Sequence, residues 1–120
     1  MSEPTFGSLE ELRAAVREFA LQRDWDQFHS PKNLAMALTV EASELLEHFQ
    51  WLSEADSKTL APEQLQEVAA EMADVLIYLV RLADKLDVDL LRSARVKLAV
   101  NARKYPADRV RGSSRKYREP

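Results

Sequence analysis

Polar and apolar positions alternate at helical spacing along almost the whole chain, most clearly in "EVAAEMADVLIYLVRLA", Glu67 to Ala83. At about 100° per residue, Val68, Met72, Val75, Leu76, Leu79, Leu82 and Leu86 form one broad apolar arc. Glu71, Asp74 and Tyr78 form a narrower stripe beside it. Ala70, Ala73, Ile77 and Val80 make much of the remaining circumference apolar, so little of this helix is suited to water. The acids on its edge need partners, because an unpaired buried carboxylate is strongly destabilising.

The boundaries of the helices are written in capping and breaking residues. Ser8 with Glu11 makes a capping box that opens a first helix through about Arg23. Ser30 followed by Pro31 starts a second, running to about Leu52. Pro62 at a first helical position opens a third, ending near Leu86. Asp87 or Asp89 caps a fourth that continues to about Lys104, where Pro106 and later Gly112 end regularity. No alternating β pattern of useful length and no internal repeat is present. The expectation is an all-α, four-helix bundle in a single domain spanning residues 1–120, with a helical core over about 8–104 and a basic tail over 105–120. At this length the burial of its apolar faces is expected to be completed by oligomerisation.

The second helix repeats the anomaly of the third. In "NLAMALTVEASELLEHFQW", Glu41 falls on the side of Leu34, Leu38 and Leu45, with Glu44 at the border of that face. In an antiparallel arrangement Glu41 and Glu44 face Glu71 and Asp74 across one seam. Carboxylates converging there repel strongly unless cations neutralise them. The plainer reading is solvated acids paired with neighbouring bases, but no Lys or Arg lies between Lys32 and Lys58, and Arg81 is seven residues beyond Asp74.

Composition narrows the chemistry. The chain has no cysteine, which removes disulfides and thiolate zinc sites. Oxygen ligands alone point to a hard cation, Mg²⁺ or Mn²⁺ in its place, and Mg²⁺ is commonly held by carboxylates together with substrate phosphates. A di-iron site wants a Glu-x-x-His motif on each of two helices, and the only histidines are His29 and His48. The only glycines are Gly7 and Gly112, so no phosphate-binding glycine loop can be built.

The net charge of −3 is unevenly spread. Acids dominate from Glu41 to Asp89, while bases from Arg92 to Arg118 crowd the end of the chain. Phosphates would be held by cations and by basic side chains, with Lys97, Lys104, Arg111 and Lys116 as candidates. Trp25, Phe28, His29, Trp51, Tyr78 and Tyr105 lie near helix ends or beside the acidic stripe, where their faces can stack on a base or serve as packing anchors. Asn101 offers an amide for sugar or base. No apolar run is long enough to span a bilayer, and "MSEPTFGSLEELRAAV" has no basic flank followed by an apolar core, so no membrane association and a cytoplasmic location are expected. The net negative charge argues against a nucleic-acid partner.

"EASE" at Glu41 to Glu44 and "EMAD" at Glu71 to Asp74 together resemble the E-x-x-E…E-x-x-D signature of the all-α nucleoside triphosphate pyrophosphohydrolases, the MazG-like superfamily. "REFALQRDWDQFHSPKNLAMAL", "ELLEHFQW", "DVLIYLVRLA", "NARKYP" and "RGSSRKY" are similar to its dCTP pyrophosphatase branch, and the likeness covers roughly residues 9–117. The resemblance implies a Mg²⁺-dependent hydrolase that splits a nucleoside triphosphate into monophosphate and pyrophosphate. It implies Glu41, Glu44, Glu71 and Asp74 as catalytic metal ligands, with Trp25, His29, Trp51, Tyr78, Asn101 and Tyr105 around base and sugar. Lys97, Lys104, Arg111 and Lys116 would meet the phosphates, and one of the four acids or Glu47 would take a proton from water. It further implies a homotetramer, a dimer of dimers. Val16 stands where animal dCTP pyrophosphatases are expected to carry a histidine; cytosine deoxynucleotides, 5-modified forms included, remain the implied substrates, with dUTP or a broader set of triphosphates as the alternative. A non-enzymatic helical interaction module is the alternative of another class.

Overall fold

The structure, a computed structural model, describes residues 3–115. Every regular element among them is helical. Helix α1 (Leu9–Gln22) begins with the Ser8 hydroxyl accepting from the Glu11 N–H at 3.1 Å, while Glu11 reaches back to the Gly7 N–H at 3.0 Å. This reciprocal cap satisfies two donors that a bare helix start leaves orphaned. The chain leaves α1 through Asp24, at a φ of +53°, and enters a short 3-10 turn at Asp26–Phe28. Ser30 then caps α2 (Pro31–Glu47), accepting from the Asn33 N–H at 3.1 Å.

Helix α2 ends earlier than its sequence suggests. Instead of continuing to Leu52, the backbone bonds back by three residues, from His48 N–H to Leu45 O and from Leu52 N–H to Phe49 O. Such bonds tighten a helix end into turns and use up its free carbonyls. Three short elements carry no periodicity long enough to read from the sequence: the 3-10 turn, α3 (Glu54–Ser57, capped by Ser53) and α6 (Ala107–Val110). Helices α4 (Pro62–Lys85) and α5 (Leu90–Lys104) start where expected, α4 on Pro62 and α5 on the Asp89 carboxylate, which accepts from the Arg92 N–H at 3.0 Å.

The chain forms two compact units that divide between Asp87 and Val88. In the first, α4 is the centre, with α2 packed most extensively against it and α1 alongside. Glu41 meets Glu71, and His48 comes to 3.9 Å from Glu67, so α2 and α4 run antiparallel. The core holds Leu12 and Ala20 of α1, Leu34 of α2, and Val68, Val80 and Ala83 of α4. Of the apolar arc on α4, Val68 is buried and Val75 and Leu82 are half-buried, but Met72, Leu76, Leu79 and Leu86 are exposed. The face that α4 turns inward is therefore rotated toward the stripe of Glu71 and Tyr78, both half-buried. The second unit contains α5 and α6, and no side chain of either helix is fully buried.

Candidate metal centre

Three carboxylates converge between α2 and α4. Oxygens of Glu41, Glu44 and Glu71 lie within 4.8 Å of one another, each on a half-buried residue. Oε2 of Glu41 and Oε2 of Glu71 are buried and have no hydrogen-bond partner. Two acceptors facing each other without a donor are a costly arrangement for a protein interior, relieved only by a proton or by a cation placed among them. The cluster raises the Glu41 carboxyl to about 7, through burial first, then the hydrogen bonds that a protonated Glu41 can donate to Glu71 and Glu44, then the charges of Glu44 and Asp74. A divalent cation fits this donor set: hard oxygen ligands, converging geometry and uncompensated negative charge. Asp74, exposed and outside this cluster, acts on Glu41 through its charge.

A second charged assembly occupies the far end of α4. Arg81 is 3% exposed, and each of its three guanidinium nitrogens donates a hydrogen bond. It donates to Asp84 at 3.0 Å, to Asp26 at 2.6 Å and, through Nε–H, to Nδ1 of His29 at 3.1 Å. Lys85 also reaches Asp26, at 2.8 Å. From α1, Arg13 donates to Asp84 at 3.1 Å, and Arg17 donates to both Asp84 oxygens, Nε–H to Oδ2 at 2.9 Å. Arg17, Arg13 and Arg81 hold the Asp84 carboxyl below the usual carboxylate range against the opposing effect of burial. Lys85 and Arg81 do the same for Asp26. Burial and the charges of Arg81 and Lys85 hold the His29 imidazole below its ordinary value, with Asp26 opposing them.

The aromatic candidates are dispersed around these groups. Trp25 packs edge-on against Phe19, with centroids 5.8 Å apart, and Arg23 lies 3.6 Å over the Phe19 ring. Trp51 is 88% exposed, in the turns that follow α2. Tyr78 sits on α4 in the same stripe as Glu71. In the second unit Lys97 and Arg111 are exposed and Asn101 and Tyr105 half-buried. A cavity of about 640 Å³ opens there between Arg103, Lys104, Tyr105, Arg109, Ser113 and Arg115. Its lining is cationic and suited to an anion. Lys116 lies outside the described residues.

A model of the MazG-like family matches residues 36–119, which include both acid pairs. The chain belongs to the MazG-like family. It is 45% identical to human dCTP pyrophosphatase 1 over 98% of its own length and 68% of that protein's, and 46% identical to the rat protein of the same name over 96% and 67%. Among solved structures it is similar to a pyrophosphatase from Archaeoglobus fulgidus, with a TM-score of 0.74 and 39% identity, covering 88% of this chain and 99% of that one. The all-α expectation and the family resemblance both hold. What the family signature does not announce is the Arg81 assembly. Its one local trace is the i, i+3 pairing of Arg81 with Asp84; the parts supplied by Asp26, His29, Arg13 and Arg17 come from elsewhere in the chain.

Proposed function

We propose that this MazG-like chain is a nucleoside triphosphate pyrophosphohydrolase that converts dCTP, including 5-modified forms, and water to dCMP and pyrophosphate. The observation that carries the reading is the pair of buried, partnerless oxygens on Glu41 and Glu71 within a three-carboxylate cluster. The dCTP pyrophosphatases at 44–46% identity support the choice of substrate. Glu41, Glu44 and Glu71 would hold the cation, with Asp74 as a fourth ligand. What Mg²⁺, or Mn²⁺ in its place, supplies there is neutralisation of phosphate charge and a more acidic water. A carboxylate of this seam, one of the four or Glu47, takes the proton as water attacks phosphorus and the bond to the pyrophosphate oxygen breaks.

Trp25, His29, Trp51, Tyr78, Asn101 and Tyr105 are proposed to surround base and sugar. Lys97, Lys104, Arg111 and Lys116 are proposed to meet the phosphates, and the cationic cavity of the second unit supports an anion-binding role for that part of the chain. We take all 120 residues as one functional domain, since the family match runs through both compact units. The exposed leucines and methionines of α2 and α4 support assembly into a homotetramer. No helix of the described residues is long and apolar enough to cross a membrane, and the proposed work on the nucleotide pool supports a cytoplasmic location.

The test is pyrophosphate release from a panel of deoxy- and ribonucleoside triphosphates, with Mg²⁺ and with EDTA, for wild type and Glu71→Gln. Release from dCTP that requires both the cation and Glu71 is the expected result. Equal release from dUTP would move the substrate to a broader set, consistent with Val16 in α1. Absence of release from every triphosphate would sink the enzyme reading and leave a helical interaction module.

A further inference from the structure

Arg81 does more than close an ion-pair network. An arginine Nε always carries its proton, so the ring nitrogen that it approaches at 3.1 Å, Nδ1 of His29, must be the lone-pair side of the imidazole. A neutral imidazole with Nδ1 as acceptor carries its single proton on Nε2. The groups facing this ring are Arg81 and Lys85 from α4 and Asp26 from the 3-10 turn, and Arg81 is itself clamped by Asp84. With its guanidinium occupied on three sides and its side chain 3% exposed, Arg81 has no room to turn away. Protonating His29 would break the Arg81 bond and set one cation against another. His29 is thereby held as a neutral ring whose other nitrogen, Nε2, can only donate.

The position of this donor matters. Glu71, Asp74, Tyr78 and Arg81 stand at i, i+3, i+7 and i+10, one line along α4. At the rise of an α-helix, Arg81 lies about 15 Å beyond Glu71, comparable to the reach of an extended nucleoside triphosphate from its phosphates to its base. A substrate with its phosphates at the acidic end lays its sugar past Tyr78 and its base toward His29, where the exposed rings of Trp25 and Phe28 are close in sequence.

We infer that Arg81 is a positioning residue that fixes His29 as a one-way hydrogen-bond donor, and that His29 uses it to discriminate bases by the edge they present. Placed opposite N3, the donor admits the lone pair that cytosine presents there. It rejects the N3–H of uracil or thymine, since two donors facing each other leave both unsatisfied. The inference rests on the acidic seam being the triphosphate site, and it adds the device that sets the base.

Two measurements test it. The first needs no variant: nitrogen-15 NMR of imidazole-labelled wild-type protein, titrated with pH. A lone-pair shift at Nδ1, a protonated shift at Nε2, and no protonation where a free histidine titrates, near about pH 6.5, are expected. An Nδ1–H tautomer or an ordinary titration would overturn the proposal. The second compares kcat and KM for dCTP and dUTP in wild type, Arg81→Met and His29→Gln, the last replacing the half-buried ring by an amide that can rotate to donate or accept. The expected result is a fall of about tenfold or more in the dCTP-over-dUTP ratio of kcat/KM in both variants, arising from better use of dUTP. An unchanged ratio, or equal losses for both substrates, would mean a merely structural role and overturn the inference. If Arg81→Met fails to fold, His29→Gln and the NMR titration decide. Wild-type protein that hydrolyses no triphosphate overturns the underlying functional reading instead, and does so while the NMR result still reports on the tautomer.

Discussion

Burial and the neighbouring acids push the Glu41 carboxyl up to about 7, from an ordinary 4.5, when no cation sits among them. Between those values the folded chain holds a proton that the unfolded chain has lost. The cation-free fold therefore loses stability as pH rises through that window, and the penalty is complete above about 7. Glu41→Gln is expected to stabilise the cation-free protein above about pH 7 and to give no such gain below about pH 4.5, as read by chemical denaturation at the two pH values. A divalent cation has to displace that same proton. Its apparent affinity should fall about tenfold per pH unit below about 7, and calorimetry in buffers of different ionisation enthalpy should show proton release at about pH 6 but not at about pH 8. That Glu41 belongs with Glu44 and Glu71 was legible from their i, i+3 spacing on two helices. That Asp74, on the same stripe of α4, would be exposed and act on Glu41 through its charge was not, because spacing along one helix does not tell how closely each acid approaches its neighbour.

At the scale of the element, α4 joins two kinds of electrostatics. Its middle presents uncompensated acid, and its C-terminal turns carry a compensated network around Arg81 and Asp84. Both of those side chains are 3% exposed, so removing one partner strands the other. Asp84→Asn is expected to destabilise the fold by roughly 3–5 kcal/mol, measured by urea unfolding at neutral pH. Because Asp84 and Asp26 are held below the usual carboxylate range, the stability they contribute is present above that range and is lost as pH falls through their lowered values. The helices themselves were readable from Ser8, Ser30, Pro62 and Asp89, each of which stands at or beside the start of a helix. The early end of α2 was not, because His48 to Leu52 continue an acceptable helical pattern and only the three-residue bonds of the folded chain stop it.

For the whole molecule, the small core sets the expectation. Among the described residues six apolar side chains are buried, while Met36 and Val40 of α2 and Leu65, Met72 and Leu76 of α4 are all exposed. Leu65, Met72 and Leu76 share one line on α4, and a soluble monomer seldom leaves such a stripe uncovered. Sedimentation velocity is expected to show an assembly larger than the monomer, and Leu76→Glu to shift it toward smaller species with a lower melting temperature. Sedimentation at monomer mass for wild type would rule out the proposed tetramer. Helix content, helix starts, the acid pairs and family membership were all determined by the sequence alone, because periodicity, capping and short motifs act over a few residues. Only the tertiary structure decided that α4 turns its Glu71–Tyr78 stripe inward rather than the centre of its apolar arc. It alone joined Arg81 to His29 across 52 positions of sequence, because such contacts depend on how helices rotate and dock, which no local pattern encodes.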